Sequence, residues 1–218
     1  MSDNHAAFNL IFRFVENYVS PIAGRISSQR HVMAIRDGFI SAMPFMIVGS
    51  FLLVFAYPPF SPDTTLGFAR AWLDMAKQFE GQILTPFDMT MGIMSIYICA
   101  AIAYNLGKHY VKSHQLDPFM CAMLSLMAFL LVAAPKTKGA MPVDSLGGTG
   151  IFTAILVAIY CVEMMRFLKA HNIGIRLPDQ VPPMIKNSFD LLIPVLVVVV
   201  TLYPLSLFIQ SQLDMLIP

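Results

Sequence analysis

Residues Gly38 to Tyr57, GFISAMPFMIVGSFLLVFAY, run for twenty positions without a charged side chain. An α-helix needs about 20 mostly apolar residues to cross a hydrocarbon core of about 30 Å. Four further stretches read the same way, near residues 87–106, 118–134, 150–167 and 191–209. None has a charge in its central turns, where one would cost about 2.5–3.5 kcal/mol on insertion. Glu163 comes nearest, close to the end of the fourth span and within reach of Arg166 and Lys169.

Composition agrees. Hydrophobic residues make up 57% of the 218 and charged residues 12%, with a mean hydropathy of +0.68. Lys, Arg, Asp and Glu form most of the coat of a soluble domain, and so few cannot surround this much apolar surface. The same balance excludes intrinsic disorder, and a net charge of +1 excludes the dense basic face of a nucleic-acid binder. The expected fold is all-α: a polytopic membrane protein with five transmembrane helices. An amphipathic segment over 1–36 precedes a membrane domain over 37–218.

Orientation follows from the basic residues. Arg13, Arg25, Arg30, Arg36, Lys108, Lys112, Arg166, Lys169, Arg176 and Lys186 fall in alternate connections, leaving Arg70, Lys77, Lys136 and Lys138 for the other side. This ten-to-four split predicts a cytoplasmic N-terminus and an external C-terminus. The five histidines, His5, His31, His109, His114 and His171, share the cytoplasmic side in this reading.

The first 36 residues are too interrupted by charge for a secretory signal. Phe8, Ile11, Phe12, Val15, Val19, Ile22 and Ile26 recur at three- and four-residue spacing, which predicts a helix lying flat in the interface. Between Pro58 and Pro86 a second helix is expected. Thr64 or Thr65 caps it, Leu66, Ala69, Trp72, Leu73, Ala76 and Phe79 share a face, and Gly81 stops it. Residues 135–150 read as a plain outer loop, because its glycines lack the spacing of a phosphate cradle.

Catalytic motifs are missing, and no histidine falls inside a span, so no catalytic residue is assigned. Cys99, Cys121 and Cys161 lie far apart in apolar runs and read as packing residues, with no metal and no cofactor implied. Asp37, Asp88 and Asp190 sit at span edges and read as helix-end anchors. Gly92, Ser95, Cys99, Ala103 and Gly107 form a small-residue stripe along the second span, the usual device for close helix packing in lipid. Pro44, Pro194 and Pro204 predict kinks within spans. Pro178, Pro182 and Pro183 break the segment between the last two spans and mark it as a candidate hinge. The mid-membrane polar groups are mainly Tyr97, Tyr104 and Asn105.

Two long stretches carry a family resemblance. RHVMAIRDGFISAMPFMIVGSFLLV (Arg30 to Val54) and LGGTGIFTAILVAIYCVEMMRFLKAHNIGIRLPDQVPPMIKNSFDLLIP (Leu146 to Pro194) resemble the permease component, enzyme IIC, of the bacterial phosphotransferase system. The lactose/cellobiose/diacetylchitobiose branch fits best. The resemblance implies uptake of a β-linked disaccharide such as cellobiose or diacetylchitobiose. Phosphate reaches the sugar through the cytoplasmic partners IIA and IIB, so this chain is not itself the enzyme. It further implies that the first five spans form the subunit-contact half of a homodimer. The sugar-binding histidine and glutamate belong to a second half, for which residues 1–218 offer no counterpart. The expectation is an N-terminal half that does not transport alone and that works with a second-half polypeptide. The alternatives are a non-transporting assembly module or gene remnant, and an unrelated small membrane protein.

Overall fold

A computed structural model describes Arg13, residues 15–134, residues 142–175, Pro182, Ile185 and residues 189–213. Most of the amphipathic N-terminal segment, including Phe8, Ile11 and Phe12, lies outside the described residues, as do Pro178 and Pro183. After a π-helical turn at Val15–Val19 the chain forms α1 (Ser20–Ser27) and then α2 (Arg30–Ala56). Further helices among the described residues are α3 (Gly67–Phe87), α4 (Met94–His114), α5 (Pro118–Ala133), α6 (Ile151–Ala170) and α7 (Leu192–Leu213). The described residues contain no strand.

Helix α4 is the hub of the bundle, packed on α2, α5 and α6, while α7 lies against α5 and α6. The core follows from side-chain size. Helix α2 buries Ala34, Gly38, Ala42, Gly49 and Ala56, and exposes Ile40, Ile47, Val48, Phe51 and Val54. Its small residues allow close backbone approach, while its large apolar residues point outward, an arrangement suited to lipid. The Cβ that Gly38 lacks would lie against Ile102 Cγ1, 2.9 Å from Ile102 N and 3.1 Å from its Cα.

Among the described residues, four helical runs are long and apolar enough to cross a membrane: Arg30–Ala56, Gly67–His114 counted as one, Gly148–Ala170 and Leu192–Ile209. Helix α5 has 16 residues, or about 24 Å at roughly 1.5 Å per residue, short of that length. Its start is well determined by chemistry. Asp117 caps it, accepting from the backbone N–H of Phe119 at 2.8 Å and of Met120 at 3.4 Å, and Pro118 occupies the first turn.

Several boundaries differ from the sequence reading. Helix α3 runs straight through Gly81 to Phe87, since one glycine costs a helix only about 1 kcal/mol. Neither threonine is its cap. Leu66 holds that position, and Thr64 Oγ1 accepts from the Leu66 N–H at 3.4 Å. Helix α4 begins at Met94, after a π-helical turn at Asp88–Gly92. There Thr90 Oγ1 donates to the carbonyls of Pro86 (2.8 Å) and Phe87 (3.0 Å), satisfying groups that the break disturbs. Pro194 lies in the first turn of α7, where its missing N–H costs that helix no hydrogen bond.

Candidate functional site

One end of the bundle gathers charge. Glu163, near the end of α6, meets His31 from the start of α2 and Tyr110 from the end of α4. Its Oε1 lies 2.9 Å from His31 Nε2 and accepts a 2.6 Å hydrogen bond from Tyr110 OH. Arg166, one turn on, places Nε 2.7 Å from Oε2 as an ion pair that is out of line for a hydrogen bond. The guanidinium carbons of Arg166 and Arg30 lie 5.2 and 5.6 Å from the Tyr110 ring centre, within cation–π range. Three helices are thus tied through one half-buried carboxylate. Lys169 does not join it; its ammonium pairs with Asp190, just before α7. Helix α6 ends at Ala170, and Asn172, two residues on with a φ of 55°, lets the chain turn back. Asp37 pairs with its neighbour Arg36 at 2.8 Å.

The small-residue stripe has two kinds of neighbour. Cys99, Ala103 and Gly107 are fully buried on α4. A Cβ on Gly107 would meet Cys121 Sγ and Pro118 Cα of α5, each at 3.1 Å. Cys99 Sγ donates to Ser125 O at 3.5 Å across the same contact. Further along, Ser95 Oγ donates to Gly147 O and Ser95 N to Leu146 O (2.9 Å), so this end is capped by the loop before α6. Gly92 lies in the π turn, its carbonyl close to Gly147. Pro182 is exposed and accepts from Ile185 N at 3.0 Å.

Tyr97, Tyr104 and Asn105 converge on a side groove of about 340 Å³ between α2 and α4, together with Ser41, Phe45 and Lys108. Phe45 stacks on Tyr97 at 4.3 Å, and Tyr97 OH donates to Met89 O. Lys108 Nζ lies 4.4 Å above the Tyr104 ring. A separate cavity of about 360 Å³ between α5, α6 and α7 is lined by Val132, Leu156 and Leu202 with only Thr153, Tyr160 and Ser206 as polar members. No three His, Cys, Asp or Glu side chains among the described residues approach closely enough to hold a metal.

Sequence reasoning missed the Ala34, Gly38 and Ala42 face of α2, although a small residue at every fourth position was there to be read. It also missed His31 as the partner of Glu163, a contact 132 residues apart that only the fold creates.

Comparison with known proteins matches the pattern of the family described as "Phosphotransferase system, EIIC" to residues 36–217. The cellobiose-specific EIIC component of Geobacillus stearothermophilus is 34% identical, over 91% of this chain and 45% of its own length. The lichenan permease IIC component of Bacillus subtilis (strain 168) is 33% identical, over 93% and 46%. The crystal structure of the transporter ChbC, the IIC component from the N,N'-diacetylchitobiose-specific phosphotransferase system, is 34% identical. It superimposes with a TM-score of 0.76, covering 92% of this chain and 48% of ChbC. The chain spans about half the length of the relatives it matches. The match across nearly the whole chain and the shared helical fold lead to one conclusion: this chain belongs to the phosphotransferase system EIIC family.

Proposed function

We propose that these residues are the N-terminal, subunit-contact half of an EIIC sugar permease for a β-linked disaccharide of the cellobiose or diacetylchitobiose kind. The relatives' substrates support the sugar class. In this reading the chain crosses the inner membrane five times, with α5 as a short span shielded by its neighbours. The end carrying Glu163 faces the cytoplasm, where IIA and IIB work. A homodimer forms through this half, and a second half supplies the sugar site.

One observation carries the division of labour. The buried polar side chains among the described residues are Ser95, Ser125, Ser145, Thr153 and Ser206, with no buried charge or amide. A sugar stripped of water needs partners for many hydroxyls, and each one left unpaired costs about 1–3 kcal/mol. Scattered single hydroxyls do not meet that need. Equilibrium dialysis of the purified chain against radiolabelled cellobiose and diacetylchitobiose tests this. The expected result is no saturable binding; saturable binding of either sugar overturns the scaffold assignment.

A further inference from the structure

We propose that the groove between α2 and α4 binds an anionic phospholipid, its phosphate at Lys108 and Lys112 and one acyl chain against Phe45 and Tyr97. The proposal requires only that α4 cross the membrane; it is independent of the sugar and of the span count.

Charge is the first argument. Lys108 has no acidic partner among the described residues; its contacts are Asn105 Oδ1 at 3.5 Å and the face of Tyr104. Lys112, one helical turn on, is exposed on the same face. Asp37, one helical turn before Ser41, has its carboxylate paired with Arg36. Two cations with no ion pair among the described residues, at the end of a helix taken to cross the membrane, attract an anionic headgroup.

Shape is the second. The lining is graded, from Lys108 and Asn105 at one end to the Phe45–Tyr97 stack at the other. Tyr97 and Lys108 are eleven residues apart on α4, about 16 Å at roughly 1.5 Å per residue. That matches one leaflet, half of a core about 30 Å thick. Phe45 and Tyr104, each 40% exposed, leave the groove open along the flank of the bundle. A free phosphate ion would use only the basic end; the aromatic length beyond it suits a chain.

The test is native mass spectrometry of the purified 218-residue chain after incubation with equal amounts of acyl-matched phosphatidylglycerol and phosphatidylcholine. Phosphatidylglycerol should be retained preferentially, and Lys108→Ala should lower the preference about fivefold, the effect of one basic residue near an anionic surface. Lys108→Arg should keep it, and millimolar inorganic phosphate should leave the bound lipid in place. Equal retention of the two lipids, an unchanged ratio in Lys108→Ala, release by inorganic phosphate, or release of lipid when the chain self-associates would each overturn the proposal. The lysine is exposed, so its replacement does not threaten folding.

Discussion

Replacing Gly38 by alanine should destabilise the bundle, although alanine is the better helix former. The new methyl would lie against Ile102 Cγ1, 2.9 Å from Ile102 N and 3.1 Å from its Cα. Carbon atoms in good contact stand about 3.5–4.0 Å apart, so α2 and α4 must part by several tenths of an ångström. Backbone cannot rotate away as a side-chain tip can, which places the cost in the upper part of the usual overpacking range of about 1–3 kcal/mol. Helix propensity returns about 0.8–1 kcal/mol. The net loss is then about 1–2 kcal/mol, or roughly 2–8 °C in melting midpoint for a chain of this size. Gly81 in α3 provides the control, because a Cβ there meets nothing within 4 Å. Gly81→Ala should leave the midpoint unchanged or raise it. Thermal melts of detergent-solubilised protein, followed by size-exclusion of a fluorescent fusion, read both variants. A Gly38→Ala protein as heat-resistant as the Gly81→Ala protein would refute the close α2–α4 contact.

Ser95→Leu and Ala103→Leu should each cost about 1–3 kcal/mol by overpacking, and the serine variant should lose more because its hydroxyl also holds Gly147; parental heat resistance in both would show that this face does not pack. For Glu163, alanine should be worse than glutamine, since the amide oxygen still accepts from Tyr110; a double-mutant cycle with His31→Ala should give a coupling of about 0.5–3 kcal/mol, and a coupling of zero would remove the α2–α6 tie. A C-terminal reporter active only in the cytoplasm should be silent, and an active one would overturn the span count or the orientation.

Much of the helical plan was legible because lipid imposes a simple rule: long uncharged runs become helices. The start of α5 at Pro118 was legible as the edge of an apolar run, whereas the Asp117 cap that fixes it went unread although its signal is local. The stretch from 81 to 93 was not legible. Gly81, Pro86 and Gly92 all suggest breaks, yet only the last stretch departs from α-helix, at a π turn whose disturbed carbonyls are met by Thr90. Charge pairing was half legible. Arg166 lies one turn from Glu163 and was visible, whereas His31 reaches the same carboxylate from another helix, and Lys169 turns instead to Asp190. Tyr97, Tyr104 and Asn105 stood out as polar residues, but their meeting with Lys108 and Phe45 in one groove depends on how α2 packs on α4.

The most direct test of the central claim is uptake of radiolabelled cellobiose or diacetylchitobiose in cells that lack their own permease and retain IIA and IIB. Residues 1–218 expressed alone should give no uptake above background. Co-expression with the C-terminal half of a full-length relative should restore it. Uptake by these residues alone would contradict the account and place a sugar site within this bundle.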